Sequence, residues 1–165
     1  HSGLSAARNV GLKNINGDYV LFLDHDDLMT ENALKTLYDE LVSDSSIDYT
    51  QGKLKDFISP ELSEEDKKTL APRKDTYGGL LTGAYLFKRE VIEKVGGFNE
   101  SLVTGQGVDF MLRVEQQGFK TKKLDFVTTL RRFHNTNMGR TLQKQENKDY
   151  AAILRAKILA SRKKG

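Results

Sequence analysis

The feature that most constrains the fold is the segment 18–27, in which an unbroken apolar run leads directly into a group of carboxylates. The apolar residues 19–23 are followed at once by Asp24, Asp26 and Asp27. A short apolar run that is rich in aromatic and branched side chains, and that opens on a Gly-Asp turn pair, is typical of a buried strand. Strands of this kind belong to parallel sheets that helices cover on both faces. The sequence therefore predicts an α/β fold.

The position of these carboxylates indicates a binding site. In open α/β sheets, ligands lie beyond the carboxyl ends of the strands, which is where residues 24–27 are expected. Carboxylates packed this closely repel one another unless a cation or hydrogen-bond donors offset their charge. Mg²⁺ or Mn²⁺, shared with substrate phosphates, is the simplest such cation. The alternative is an acidic N-cap, with Asp26 or Asp27 opening the next helix, but three acids after such a strand favour the site.

Composition limits the class of protein. At 165 residues the chain is one domain or part of one, and it is long enough to bury a core. The formal charge of +3 is too mild to indicate a nucleic-acid partner, so we expect none. The chain has no Cys, which suits a reducing compartment such as the cytoplasm. No apolar run approaches the ~20 residues of a transmembrane helix. The chain opens in mid-pattern at His1 without Met, which indicates a piece of a longer protein.

The first half of the chain predicts two helices and a second strand. A short helix over 5–12 precedes the acidic segment, and its Arg8 is placed to pair with a phosphate or with one of the carboxylates. A covering helix is expected from Glu31 to about Val42, with Thr30 as its N-cap. A strand follows, from Ile47 towards Phe57.

The middle of the chain combines a polar insertion with a return to regular structure. Residues 59–75 are dominated by charge and hold both prolines, with a short helix expected from 63–66. We predict a mobile loop here, either a solvated surface loop or one that closes over substrate. Residues 80–87 predict a strand with close backbone approach at Gly83, and residues 89–95 predict a short helix.

Candidate site residues recur in the last third. Asp109 opens a helix, where it is either a favourable first-turn carboxylate or a general base held over a pocket. His134 follows the one or two strands expected within 120–130 and lies in a polar stretch. The final helix, over 142–164, is amphipathic, and its basic end suggests contact with a membrane surface or with another domain. Its apolar side is expected to carry Ile153, Leu154, Ile158 and Leu159.

Two blocks of the chain resemble the family 2 glycosyltransferases of the GT-A fold. The first block is GLSAARNVGL at residues 3–12, continued by GDYVLFLDHDD at residues 17–27. The second block spans residues 83–120. The resemblance implies a Rossmann-like mixed sheet flanked by helices, of which this chain is the C-terminal portion. It also implies that a strand–helix–strand unit holding the nucleobase precedes His1.

The same resemblance implies metal-dependent transfer of a sugar from a nucleotide-sugar donor to a hydroxyl of a saccharide or another acceptor. Transfer would proceed with inversion, in bacterial glycan or cell-envelope synthesis at the inner face of the membrane. By the family pattern, Asp24 and Asp26 form the D-x-D motif that contacts the donor's ribose and the metal, supported by Asp27, while Arg8 lies near the donor. His134 resembles a late histidine that reaches the metal or the diphosphate. The implied Mn²⁺ or Mg²⁺ ligands are therefore Asp24, Asp26 and His134.

The chain departs from the family pattern at the catalytic base. Gly107 stands where the family usually has its acid, which leaves Asp109 as the candidate base. Two other interpretations stay open. A haloacid-dehalogenase-type phosphatase also places Asp-x-Asp after an apolar strand, although Leu28 stands where that pattern has Thr or Val. A non-catalytic binding module is the third interpretation, because the base motif is altered.

Overall fold

The computed structural model describes residues 3–162, without the side chains at 139, 140 and 159–162. The helices are α1 Gly3–Lys13, α2 Ala33–Ser43, α3 Glu64–Lys68, α4 Arg89–Val95, α5 Gln106–Gln116, α6 Met138–Thr141 and α7 Gln143–Arg162. The strands are β1 Tyr19–Leu21, β2 Leu28–Met29, β3 Tyr49–Ile58, β4 Tyr85–Lys88 and β5 Thr121–Phe133, and a 3₁₀ turn covers Thr82–Ala84.

The described strands form one mixed sheet in the order β1-β4-β3-β5-β2. The long strands β3 and β5 run parallel to each other, while the pairs β1–β4, β3–β4 and β2–β5 are antiparallel. The expected mixed α/β architecture is confirmed.

The prediction of a buried strand in a parallel sheet is wrong in its detail. β1 covers only 19–21, pairs antiparallel with β4, and lies at the sheet edge within the described part of the chain. Val20 is buried, but Leu23 is 44% exposed. Phe22 leaves the strand and packs edge-on against Phe98, with the ring centroids 5.0 Å apart. The apolar run is therefore shared between a short strand and an aromatic cluster, and it does not mark a strand buried on both faces.

The two faces of β4 contact separate cores, because successive side chains of a strand point to opposite faces. Phe87 packs with Phe110 of α5 on one face, where Phe98 and Phe110 stack with centroids 4.6 Å apart. Such aromatic pairs add about 0.5–1.5 kcal/mol beyond the burial of their area. On the other face, Leu86 packs against Leu37 of α2. The aromatic core thus fixes α5 against the end of β1.

The predicted starts of α2 and β4 are corrected. α2 begins at Ala33, not at Glu31, because Thr30 is held to β5: its Oγ1 donates to the Val127 carbonyl at 2.6 Å. The strand predicted over 80–87 is present only from Tyr85, since the preceding residues turn in the 3₁₀ segment.

Within the described range, α7 covers Gln143–Arg162 of the segment predicted as the C-terminal helix, and the predicted apolar face is corrected. Ile153 is buried, whereas Leu154 is 57% exposed and Ile158 is 52% exposed. Adjacent helical residues point about 100° apart, and the contact face of α7 includes Ile153 but not Leu154. Lys163, Lys164 and the Leu159 side chain lie outside the described residues. No helix of residues 3–162 is long and apolar enough to cross a membrane.

The insertion over 59–75 contains the expected short helix, α3, whose N-cap Ser63 accepts a hydrogen bond from the Asp66 N–H at 3.1 Å. The C-terminal end of the insertion is hydrogen-bonded to β3 through the buried carboxylate of Asp56. That carboxylate accepts hydrogen bonds from the Arg73 N–H at 2.8 Å and from the Tyr77 hydroxyl at 2.5 Å. The insertion is anchored where it rejoins the sheet, while its mobility stays a prediction.

The irregular register between β3 and β5 requires glycine at position 52. A Cβ at Gly52 would lie 2.2 Å from the side chain of Thr128. We expect Gly52→Ala to lower the free energy of unfolding by about 1–3 kcal/mol through overpacking, as measured by urea denaturation. Gly11→Ala is the matched control, since nothing lies within 4 Å of a Cβ there. On helix α1 it should be neutral or stabilise by about 0.5–1 kcal/mol. Equal effects of the two substitutions would contradict this explanation.

Candidate functional site

The three carboxylates after β1 lie in a tight turn, closed by a hydrogen bond from the Asp27 N–H to the Asp24 carbonyl at 3.1 Å. The first of them pairs with α1: Arg8 Nη2 lies 2.5 Å from Asp24 Oδ1. The Arg8 guanidinium also lies over the Phe98 ring, 5.0 Å from its centroid, and the side chain is only 11% exposed. Of the two roles expected for Arg8, the structure shows pairing with a carboxylate.

The second carboxylate meets His134, which follows β5. His134 Nε2 lies 3.0 Å from Asp26 Oδ2, while its Nδ1 lies 2.8 Å from the Thr136 hydroxyl. Burial acts to raise the pKa of Asp26, but the hydrogen bond with His134 and a backbone hydrogen bond outweigh it and lower that pKa. The structure therefore brings together two side chains that are far apart in sequence and that were both expected at the donor site.

The third carboxylate, Asp27, is partly buried. Burial raises the pKa of Asp27 to about 6, together with the charges of Asp26 and Asp24, although a hydrogen bond from the Arg132 backbone works against the shift. That bond, from the Arg132 N–H to Asp27 Oδ1, is 2.9 Å long. Asp27 is therefore protonated at a higher pH than an exposed carboxylate would be.

Arg132 connects the acidic turn to the insertion. Its Nε donates to the Asp26 carbonyl at 2.8 Å, and its Nη1 donates to the Ser59 hydroxyl at 3.2 Å. The sequence pattern did not indicate this role for Arg132. The only available signal was its place in an Arg-Arg pair two residues before His134.

Asp109 lies in the first turn of α5, as expected, and is occupied by an ion pair. Arg113 Nε lies 3.0 Å from Asp109 Oδ2, and the same guanidinium donates to the carbonyls of Val95 and Gly97. Among the described residues, no hydrogen bond or ion pair joins Asp109 to the carboxylates of the β1 turn. The structure places the candidate base on a fixed helix end, and its catalytic role stays a prediction.

Residues 78–84, which we call the bridge segment, run between α5 and the end of β1. A Cβ at Gly107 would lie 3.5 Å from the Leu80 carbonyl oxygen, so the first turn of α5 rests on this segment. A Cβ at Gly83 would lie 3.5 Å from the Phe22 carbonyl oxygen, two residues before Asp24. The bridge segment therefore connects the helix of Asp109 to the acidic turn through close backbone approach.

The N-terminus of α5 is also held from α7, through a buried carboxylate that sequence analysis missed. Asp149 Oδ2 accepts hydrogen bonds from the Thr104 N–H at 2.8 Å, from the Thr104 hydroxyl at 2.9 Å and from the Val103 N–H at 3.2 Å. Burial acts to raise the pKa of Asp149, but these hydrogen bonds and one from Gln145 lower it. α7 therefore fixes the loop from which α5 begins.

Whether these residues suit a divalent cation depends on the donor set. In the described range, no group of three or more His, Cys, Asp or Glu side chains is arranged to hold a metal ion. Asp26 and His134 nevertheless converge as one carboxylate and one imidazole. Mg²⁺ usually keeps several waters and is held by one or two carboxylates together with substrate phosphates. The pair therefore fits a cation whose remaining ligands come from a bound diphosphate.

Comparison with known proteins identifies relatives of this fold. The model of the family described as glycosyl transferase family 2 matches residues 1–96. Glycosyltransferase GlyA of Streptococcus pneumoniae is 50% identical over 42 residues, which are 26% of this chain and 6% of GlyA.

Two solved structures share the architecture. The structure of S. aureus TarS 1-349 in complex with UDP has a TM-score of 0.60 and 20% identity, covering 80% of this chain and 40% of TarS 1-349. Mannosyltransferase PcManGT from Pyrobaculum calidifontis, in complex with GDP-Man and Mn²⁺, has a TM-score of 0.56 and 16% identity. That match covers 83% of this chain and 38% of PcManGT. The fold is the GT-A fold of glycosyltransferases, and this chain spans less than half the length of each of these relatives.

The contact between Asp149 of α7 and the loop before α5 should contribute to the stability of the fold. Asp149→Ala leaves the N–H groups of Val103 and Thr104 without their acceptor, so we expect a loss of about 2–3 kcal/mol in the free energy of unfolding at neutral pH. Asn147→Ala, an exposed change on the same helix, should stay within about 0.5 kcal/mol. Guanidinium denaturation of both variants measures the difference.

The pH dependence of that loss follows from the direction of the shift. The folded-state pKa of Asp149 lies below its ordinary value of 3.8, so its stabilisation is fully present above 3.8 and is lost as pH falls through the folded-state value. The difference between wild type and Asp149→Ala should therefore shrink only below about pH 4. A difference that is small at pH 7, or that does not change in acid, would contradict the assigned hydrogen bonds.

Proposed function

We propose that this chain, which belongs to glycosyl transferase family 2, takes part in the transfer of a sugar from a nucleotide-sugar donor to an acceptor hydroxyl. The observation that carries the proposal is the convergence of α1 and β5 on the acidic turn: Arg8 pairs with Asp24, and His134 with Asp26. Family membership favours this function over a haloacid-dehalogenase-type phosphatase.

The donor diphosphate would lie at the acidic turn. When the bond between the anomeric carbon and the phosphate breaks, negative charge develops on the departing phosphate oxygen. Mn²⁺ or Mg²⁺, held by Asp26 and His134 with Asp24 nearby, would stabilise that charge when bound. The UDP of the TarS structure and the GDP-Man and Mn²⁺ of PcManGT support a nucleotide donor and a divalent cation.

Arg8 would contribute a second positive charge at this site. In the structure its guanidinium is shared between Asp24 and the Phe98 ring, so it is held in place before any donor binds. A guanidinium forms two parallel hydrogen bonds with a phosphate as readily as with a carboxylate. We propose that Arg8 orients Asp24 towards the donor and contacts the diphosphate. Asp27 would support the turn by accepting the hydrogen bond from the Arg132 N–H.

The acceptor would approach from the α5 side. Asp109 is proposed as the base, using the oxygen that is not turned towards Arg113. It would take the proton of the acceptor hydroxyl while the new bond to the anomeric carbon forms and the bond to phosphate breaks. Attack opposite the leaving group would invert the anomeric centre, as the family resemblance implies.

The proposed cellular setting follows from the composition of the chain and from the surface of α7. The absence of Cys is compatible with the cytoplasm, and the exposed apolar and basic residues of α7 suit contact with the inner face of a membrane. We propose glycan or cell-envelope synthesis as the process, with a saccharide or another hydroxyl compound as acceptor and no nucleic-acid partner.

The donor site is tested by removing the cation ligands one at a time in the full-length protein. Asp26→Asn and His134→Ala should each weaken Mn²⁺-dependent binding of UDP or GDP at least about tenfold, which is about 1.4 kcal/mol. Titration calorimetry measures the affinity, and a thermal melt checks that the fold is kept. Asp18→Asn, an exposed carboxylate before β1, serves as the control and should bind like wild type. Unchanged Mn²⁺-dependent affinity in Asp26→Asn would refute the site.

The base is tested by kinetics at saturating donor. Asp109→Asn should lower kcat roughly 10²-fold or more while donor affinity changes little, because a base acts on the acceptor in the transition state. Asp39→Asn on the exposed side of α2 provides the matched substitution and should keep wild-type kcat. If Asp109→Asn retains near-normal kcat, the residue only orients Arg113 and the start of α5.

A further inference from the structure

The side chain of Arg132, two residues before His134, joins the acidic turn to the start of the insertion. Its Nε donates to the Asp26 carbonyl at 2.8 Å, and its Nη1 donates to the Ser59 hydroxyl at 3.2 Å. The guanidinium also lies over the Phe57 ring, 4.9 Å from the centroid, and the side chain is only 24% exposed. A guanidinium presents its donors in a rigid planar fork, so contacts at two different nitrogens fix its orientation.

The peptide group between Asp26 and Asp27 is held at both of its polar atoms. Its N–H donates to the Asp24 carbonyl at 3.1 Å, and its carbonyl oxygen accepts from Arg132 Nε. With the first bond alone the peptide group can tilt about that contact, whereas the two bonds together fix its plane. The plane sets the direction of the Asp26 side chain, whose Oδ2 lies 3.0 Å from His134 Nε2. The guanidinium therefore acts on the carboxylate–imidazole pair through the backbone of Asp26.

The backbone of Arg132 contacts the other half of the same pair. Its N–H donates to Asp27 Oδ1 at 2.9 Å, and its carbonyl accepts from Asn137 Nδ2 at 3.1 Å. The side-chain oxygen of Asn137 in turn accepts from the His134 N–H at 2.6 Å. One residue is thus hydrogen-bonded to the acidic turn and to the loop that carries His134, so a change in its orientation would displace both.

The insertion supplies the groups that hold the guanidinium. Ser59 is fully buried, and its N–H donates to the Phe133 carbonyl at 2.9 Å, which fixes the start of the insertion to the end of β5. Its hydroxyl accepts from Arg132 and donates to Glu61 Oε1 at 2.6 Å. That carboxylate oxygen lies 3.7 Å from Arg132 Nη1. A hydroxyl and a carboxylate of the insertion therefore face the same guanidinium nitrogen.

Direct binding of a donor phosphate is the other role that a guanidinium beside this turn suggests. The contacts favour support of the turn, because Nε and Nη1 already have protein acceptors and Phe57 covers a face of the guanidinium. Turning these donors to a phosphate would leave the Asp26 carbonyl and the buried Ser59 hydroxyl without them, at a cost in free energy.

We propose that Arg132 is a positioning residue of the donor site: its side chain holds Asp26 towards His134, and Ser59 and Glu61 of the insertion hold Arg132. That the pair serves the donor rests on the proposed function. The arrangement of the pair itself can be measured without nucleotide or metal.

The first test is NMR of the His134 imidazole in the metal-free, full-length protein at constant pH. Arg132→Lys keeps the positive charge, but an ammonium is a single point and cannot replace Nε and Nη1 at once. We expect the ring nitrogen resonances of His134 to move towards those of a solvent-exposed imidazole. Arg131→Lys is the matched control and should leave them in place, because the Arg131 guanidinium lies over the Phe133 ring. A purely structural role would lower the melting temperature without moving these resonances.

Ser59→Ala tests the part of the insertion, and it decides the outcome if Arg132→Lys does not fold. It removes the acceptor of Nη1 at a residue outside the donor site, so the same resonances should move in the same direction by a smaller amount. Ser43→Ala, at the exposed end of α2, should have no effect, since that hydroxyl bonds only within its own helix, to the Glu40 carbonyl. Unchanged His134 resonances in Arg132→Lys, or in Ser59→Ala where Arg132→Lys does not fold, would overturn the proposal.

Titration calorimetry with UDP, in Mn²⁺ and in EDTA, separates positioning from direct contact with the donor. Positioning predicts that Arg132→Lys weakens UDP binding in Mn²⁺ about fivefold or more, the effect of one lost hydrogen bond, and leaves the affinity in EDTA unchanged. Equal losses in Mn²⁺ and in EDTA would indicate direct phosphate contact and overturn the positioning role. If wild type binds no UDP while the His134 resonances respond to Arg132→Lys, the donor site fails and the positioning of the pair stands.

Discussion

The arrangement of this molecule depends on the mutual repulsion of three carboxylates within four residues of the chain. The charge of each carboxylate is offset by a different partner. Arg8 of α1 pairs with Asp24, His134 after β5 with Asp26, and the backbone N–H of Arg132 with Asp27. Burial and the neighbouring charges of Asp26 and Asp24 raise the pKa of Asp27 to about 6, so the repulsion within the turn is expressed as a raised affinity for a proton. The turn is stable because residues from both ends of the described chain close around it.

The aromatic core explains how those residues arrive at the same place. Phe22 leaves β1 just before the first carboxylate and packs against Phe98 and Phe110, while Arg8 lies over Phe98. One aromatic cluster therefore sets the direction of the acidic turn and the positions of Arg8 and α5. From the other side, Asp149 of α7 holds the loop before α5. The donor and acceptor sides of the proposed site are parts of one packed unit, joined by the bridge segment.

Local sequence pattern was sufficient for the features that depend on neighbours in the chain. The family and the mixed sheet were expected from the resemblance of two blocks of sequence, and the helices α5 and α7 from helical periodicity. His134 and Asp26 were expected at one site, and the structure places them 3.0 Å apart, while their role towards a metal stays a proposal. These predictions succeeded because motif spacing and helical periodicity depend only on residues that are close together in the sequence.

The features that could not be predicted depend on contacts between distant segments. The apolar run of β1 looked like a strand buried on both faces, because hydrophobicity alone does not tell strand burial from the packing of Phe22 into a core. The roles of Arg132 and Asp149 were missed, since a carboxylate that accepts from the backbone of a distant loop has no local pattern. Gly52 is another such case, because only the partner strand reveals that Thr128 fills the space of its side chain.

We propose that the donor diphosphate and its cation bind at the turn where α1 and β5 converge. Paramagnetic relaxation by Mn²⁺ tests this most directly, in the isotope-labelled full-length protein with UDP or GDP present. The strongest broadening is expected at the amides of Asp26, Asp27 and His134, and it should disappear when EDTA removes the Mn²⁺. Broadening centred elsewhere, or none at Mn²⁺ concentrations that support nucleotide binding, would contradict the claim.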